Sequence, residues 1–281
     1  MLVRVIIPGM DVNVFIYTTA VLYTVSALHY LLFLVLRKEK LVSIGLYSAR
    51  VGFLTNLLSC ILLVASEGTE SLFTPKGAFL LLGISIISVF LYFSTKHKLS
   101  LSGAFLVPWS AVSLIVASFV SGVPKGSFPV GSVGLVHIVT AFLGYSAFIF
   151  SALMAVVYLI SENHLKKKKF SVFFQKLPSL TLLESVIYHS LTVGFMFITV
   201  SMFAGAVWSE KLFGKYWMWH PKQVATLITW FFYAGVIHLY LYGNWRGKRL
   251  CYMSIFGAFV ILLNFIGVNF LSSKDVHSFK G

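Results

Sequence analysis

The sequence predicts an all-α, polytopic membrane protein of about eight transmembrane helices with both termini outside. Three observations lead there. Charged residues are only 11% of the 281 residues and hydrophobic ones 58%, with a mean hydropathy of +0.91. A soluble domain carries about 25% charged residues, so this chain must be solvated mainly by lipid. Apolar runs recur at the length of about 20 residues that a spanning helix needs, and lipid, which satisfies no backbone polar group, requires them to be helical. Finally, Lys and Arg gather in alternate connections. Residues 1–281 are therefore expected to form a single integral membrane domain.

The first span is expected at 13–36 and is read as retained: Asp11 and Asn13 interrupt the apolar run, and no small-residue cleavage site follows a short core. The second, 42–65, carries Arg50 and Cys60. Spans three and four follow at 76–95 and 100–120. The fifth, 133–160, has His137 near its start, and the sixth covers 184–208. The seventh, 223–242, opens at Pro221, a residue suited to the first turn of a helix, and contains His238. The eighth is 250–271, with Cys251 at its edge and His277 just beyond. The two cysteines are far apart and form no CxxC pair. They read as small buried hydrophobes rather than as a disulfide, a zinc site or a haem attachment point.

Orientation comes from charge. The connections at Arg37–Lys40, Lys96–Lys98, Lys166–Lys176 and Arg246–Arg249 hold most of the Lys and Arg, and acidic residues favour the other face. The positive-inside rule puts those four connections in the cytoplasm. The net charge of +14 is then largely a topology signal. A nucleic-acid role is excluded, since it would need a basic folded face and no soluble domain exists here. The same topology puts His137, His277 and the connection Gly214–Gln223 outside. His238 follows Lys222 by about 24 Å of helix, past the midplane and towards the cytoplasm.

The chemistry-bearing residues concentrate on that outer face. Trp208, Tyr216, Trp217, Trp219 and Trp230 cluster around the Gly214–Gln223 connection. They read either as an interfacial aromatic belt or as flat surfaces for a flat ligand. Imidazole is the commonest protein ligand for haem iron, so His137 and His277 could ligate its two sides. Alternatively they simply anchor helix ends at the interface. Lys222 could meet a haem propionate or a lipid phosphate. His97 and His164 fall in basic connections and read as solvated. His29 and His189 lie in or near spans, where a helix–helix hydrogen bond competes with a functional role. Phosphate-binding glycine loops, paired carboxylates and Ser/His/Asp arrangements do not stand out.

The order of residues carries more than their clustering. Gly205-Ala206-Val207-Trp208, then residues 209–215, then Tyr216-Trp217-Met218-Trp219-His220-Pro221-Lys222-Gln223 running on to Trp230, resembles the tryptophan-rich signature of the CcsA/ResC cytochrome c assembly proteins. That pattern reads roughly GAVWA-x-x-x-WG-x-YW-x-WDPKE-x-W-x-LITW. The similarity continues upstream through residues 135–160 and downstream through Asn244–Arg249, Asn264–Phe270 and His277–Phe279, so residues 130–280 make up the core and the first 120 match only in span pattern. The wider superfamily includes CcmC, CcmF and HemX. The resemblance implies movement of haem b across a prokaryotic inner membrane or thylakoid-type membrane. A ResB/CcsB-like partner would assist, and haem would be presented to the CxxCH cysteines of an apocytochrome c. It implies His137 and His277 as outer axial ligands, Trp217 and Trp219 in the haem-facing loop, and His238 at an inner entry site. Three letters depart: His220 stands for the family's Asp, Gln223 for its Glu and Phe213 for its first loop tryptophan. His220 is then an added ligand, a contact behind one, or drift in a relative with another task. Two other readings share the same features: a HemX-like regulator or scaffold of haem biosynthesis, and a subunit of a respiratory complex that holds haem.

Overall fold

A computed structural model of the chain describes residues 11–97, 100–120, 131–167 and 178–271, with the backbone alone at 97, 100–101 and 264–271. The described residues are helical: α1 (Val12–Leu36), α2 (Glu39–Glu67), α3 (Pro75–His97), α4 (Ser100–Phe119), α5 (Gly131–Lys166), α6 (Leu180–Phe213), α7 (Pro221–Leu241) and α8 (Lys248–Leu271), with a 3-10 turn at Thr69–Phe73. Seven of these, α1 to α7, are long and apolar enough to cross a membrane. The chain is thus an all-α integral membrane protein.

The ends of the helices are written in local chemistry. Asp11 caps α1 by accepting from the Asn13 N–H at 2.9 Å, so the residue that breaks the apolar run starts the helix. Thr74 accepts from the Gly77 N–H at 3.2 Å ahead of Pro75, and Ser179 accepts from the Leu182 N–H at 3.2 Å. Gly214 ends α6 in the left-handed conformation, its N–H reaching the Glu210 carbonyl at 2.7 Å.

The helices group into two compact units, Met1–Leu135 and Val136–Gly281. In the first, α1 and α2 run antiparallel with small residues at the seam. The Tyr30 ring packs on Gly45, the Tyr23 ring on Gly52, and Thr19 donates to Thr55 at 2.8 Å. Tyr30 also packs against Gly103 of α4, and Asn56, fully buried, points its amide at the Tyr23 hydroxyl and the Leu80 carbonyl of α3.

In the second unit α5 and α6 run antiparallel in a register that repeats every two turns. His137 meets Ser201, Gly144 meets Gly194, and Ser151 donates to the Ile187 carbonyl at 3.1 Å. The seam is small-residue packing, which lets backbones approach where lipid offers no hydrophobic drive. A Cβ on Gly194 would sit 3.1 Å from the Gly144 carbonyl. The other helices close on this pair. Phe148 of α5 stacks on Tyr233 of α7 at 3.6 Å, Ser151 bonds Ser254 of α8 at 2.8 Å, and Trp230 of α7 donates its indole N–H to Thr199 of α6 at 2.9 Å. Cys60 and Cys251 are buried free thiols.

Candidate functional site

His137 is set apart from the other histidines by the direction of its hydrogen bond. His29, His164 and His189 each donate from Nδ1 to the carbonyl four residues back in their own helix, at 2.7, 2.9 and 2.7 Å. For His29 and His189 the Nδ1 bond is therefore to their own helix, not the expected bond to a neighbouring helix. His137 instead reaches from α5 to the Ser201 carbonyl of α6 at 2.8 Å. A carbonyl only accepts, so Nδ1 carries the hydrogen, and in the neutral ring Nε2 then holds the lone pair that can ligate a metal. The Ser201 hydroxyl adds to the grip, lying 3.1 Å from Nδ1 and donating to the His137 carbonyl at 3.0 Å.

The ring lies flat against α6 because Gly205 has no side chain. A Cβ there would come within 2.8 Å of Nδ1 and 2.9 Å of Cε1. One turn further along, the Trp208 ring stands 6.1 Å from the imidazole at 32°. Ser201, Gly205 and Trp208 thus line one face of α6 and position a single histidine. Ser201 is absent from the sequence signature, and Gly205 stands in it with no role of its own, because small residues carry no chemical signal. Their spacing, four apart and continuing the Gly194 seam, was the available clue.

The aromatic connection follows directly. Ser209 ties its start by donating to the Lys215 carbonyl at 2.8 Å. Gln223, on the first turn of α7, ties its end by accepting the Met218 N–H at 2.9 Å. The amide oxygen of Gln223 therefore does the accepting that a glutamate would do, without the charge. His220 occupies the N-cap of α7 in extended conformation but makes no cap hydrogen bond to the helix. An aspartate would be suited to that bond, and histidine leaves the helix without a side-chain cap.

Between these ties the chain is forced into an unusual shape. Trp219 has φ of +58°, the left-handed region that a bulky residue seldom adopts, and its ring is 73% exposed. Trp217 meets it edge-on at 5.8 Å and 84°. Tyr216 is likewise exposed, and Lys222 is half-buried at the second position of α7. Counting equally along both helices from the Thr199–Trp230 bond brings Trp208 of α6 level with Pro221 of α7. The connection and the His137 cluster therefore occupy the same end of this unit.

The Trp217 indole N–H is buried with no acceptor within reach. An unpaired buried donor costs about 1–3 kcal/mol, and a carboxylate or carbonyl oxygen from a ligand would relieve it. An imidazole oriented by its Nδ1 bond, the exposed rings of Tyr216 and Trp219, an orphaned donor and a half-buried lysine fit a flat, iron-bearing, carboxylate-edged ligand. Among the described residues no three of His, Cys, Asp and Glu gather to chelate a free metal ion. His277, the other expected outer ligand, lies outside the described residues.

His238 sits at the opposite end of the unit, on the last turn of the unbroken helix α7. It is exposed, its ring tilted 40° against Tyr242 at 4.9 Å. Aromatic and basic groups share this end. Tyr240 stacks on Tyr188 at 4.2 Å with the Arg246 guanidinium 5.5 Å above it. Glu184 accepts the Gly247 N–H at 3.1 Å, and Glu162 lies between Lys166 and Lys248 at 3.0 and 3.5 Å.

Comparison with known proteins gives the chain's relatives. A protein named cytochrome c biogenesis protein CcsA from Guillardia theta is 29% identical over 259 residues, covering 82% of this chain and 85% of its own length. One of the same name from Heterosigma akashiwo is 40% identical over 97 residues, covering 34% of this chain and 30% of its own. Among solved structures, cytochrome c haem lyase CcmF matches 95% of this chain with a TM-score of 0.62 at 16% identity, a likeness of fold. The chain spans about half of that protein, 51% of its length. The family model described as Cytochrome C assembly protein matches residues 70–274, which take in both ends of the unit just described, and the chain belongs to that family.

Proposed function

We propose that this chain binds haem b and presents it on the outer side of the membrane for attachment to an apocytochrome c, working with a ResB/CcsB-like membrane partner. The observation that carries this reading is the His137 imidazole, locked by the Ser201 carbonyl with Nε2 open beside Trp208 and the aromatic connection. In this reading haem is cargo. His137 lends its Nε2 lone pair to the iron, with His277 as the opposite ligand. Trp219 and Tyr216 offer ring faces to the macrocycle. Lys222 and the Trp217 N–H offer a charge and a donor to its propionates. Holding the porphyrin by its iron and acid edge leaves the vinyl edge for the two thiols of a CxxCH segment. Each thiol adds its sulfur and hydrogen across a vinyl C=C, so nothing leaves and no oxidant is consumed. His238 serves an inner site, about 24 Å of helix from Lys222. The positive-inside distribution of Lys and Arg supports an outer connection and outer termini.

The test is absorption spectroscopy of the full chain purified from membranes, with holocytochrome c yield measured in the same cells. Wild type is expected to carry six-coordinate haem. His137→Ala is expected to lose at least tenfold of the outer-site haem and most of the holocytochrome, while His164→Ala loses neither. Equal haem content and yield in the two variants sinks the assignment.

A further inference from the structure

We infer that α2 presents, through Tyr47, Arg50, Leu54, Leu57 and Ile61, a docking seam for a transmembrane helix of a second membrane protein that carries an aspartate or glutamate near the bilayer midplane. These five positions alternate in spacings of three and four, the repeat that keeps one stripe of a helix facing a partner helix. All five are exposed. The apolar ones are 70%, 61%, 41% and 50% accessible for Tyr47, Leu54, Leu57 and Ile61.

Arg50 makes the stripe more than a lipid-facing surface. It lies about 17 Å of helix from the start of α2. The pairing of Thr19 with Thr55, Tyr23 with Gly52 and Tyr30 with Gly45 puts it beside Val25, the centre of α1. The hydrocarbon layer is about 30 Å thick, so Arg50 stands near its middle, where a guanidinium is costly unless a counter-charge meets it. Among the described residues no hydrogen bond or ion pair reaches it. Among the described residues no carboxylate stands at the middle of a helix. Asp11, Glu39, Glu67, Glu162, Glu184 and Glu210 all stand within about a turn of a helix end. Glu70 lies in the 3-10 turn, and Asp275 follows the last apolar run. A second copy does not answer either. Copies sharing one orientation in the membrane would set Arg50 against Arg50, and like charges repel strongly in low dielectric. The occupant is therefore a different chain with an acidic residue inside a span. The seam uses no residue of the proposed haem site, so the two stand or fall separately.

The experiment places the photo-crosslinker p-benzoylphenylalanine at Leu54 in the full chain, in its native membrane, and reads the adduct by mass spectrometry. The expected adduct is an apolar span of another membrane protein with an internal Asp or Glu. Arg50→Leu is expected to cut its yield at least tenfold, with unchanged protein amount and haem absorbance, because leucine suits lipid better than arginine and the fold is not at risk. Arg50→Glu combined with replacement of the partner's acid by lysine is expected to restore the adduct. Adducts to lipid or to this chain alone overturn the proposal, as does a yield indifferent to Arg50→Leu. A fall in haem with the adduct intact overturns it too, and assigns Arg50 to a propionate instead.

Discussion

Gly205→Ala tests whether the imidazole of His137 is held by the helix it lies on. The new Cβ would lie 2.8 Å from Nδ1 and 2.9 Å from Cε1. Comfortable contact is about 3.5–4.0 Å, so the ring must withdraw by roughly 0.7 Å. It is held at 2.8 Å from the Ser201 carbonyl, and withdrawal takes that bond out of range. The loss is about 1 kcal/mol of orienting energy, or about fivefold in the population of the ligating rotamer. A glycine-to-alanine change inside a helix returns about 1 kcal/mol of helix stability. The two effects oppose each other in global stability and do not oppose each other at the site. The expected outcome is a Tm within about 2–4 °C of wild type and haem affinity reduced about fivefold. Haem titration into the solubilised protein, followed in the Soret band, measures the second, and thermal denaturation the first. Unchanged affinity with an unchanged spectrum would falsify the positioning role. A large fall in Tm would point to general damage instead.

Two further predictions concern the same unit. His220→Asp supplies a capping side chain at the N-cap of α7, where the backbone is already extended. The expected gain is about 1 kcal/mol, read as a rise in Tm, and an unaltered or lower Tm contradicts the account of the missing cap. Gly194→Ala would bring a Cβ to 2.7 Å from the Phe148 ring and 3.1 Å from the Gly144 carbonyl. Overpacking there should destabilise the fold by about 1–3 kcal/mol, and a variant that melts with wild type would show that the α5–α6 seam is looser than described.

Most of the fold was legible because lipid leaves few options: among the described residues the eight apolar runs are helical, close to the expected limits, and seven of these helices are long and apolar enough to cross a membrane. The departures have local causes. The fifth span was expected to end at residue 160, but α5 continues to Lys166, where the Glu162–Lys166 pair at 3.0 Å sits one turn apart on its face. The sixth was expected at 184–208. The helix runs from the Ser179 cap to the left-handed Gly214, because polar residues at the interface do not stop a helix, whereas caps do. At the site, His137 and Trp208 were legible as chemistry, and the structure brings them together. Ser201 and Gly205 were not, since one acts through its backbone carbonyl and the other through an absent side chain. The left-handed Trp219 was also hidden, because its own residue type opposes that conformation. Gln223 stands where the family pattern has Glu, and its amide oxygen accepts the Met218 N–H.

The two-turn register between α5 and α6 has a consequence for evolution as well as chemistry. His137, Gly144 and Ser151 are graduations on one scale, and Ser201, Gly194 and Ile187 are those on the other. Slipping the scales by one turn would carry the imidazole about 5.4 Å along the axis, past its anchoring carbonyl. The height of the His137 ring is therefore set by glycines and serines buried far below it. If His137 ligates haem as proposed, substitutions deep in that seam should register first in the absorption spectrum of haem added to the protein, before any change in how much protein the cell makes.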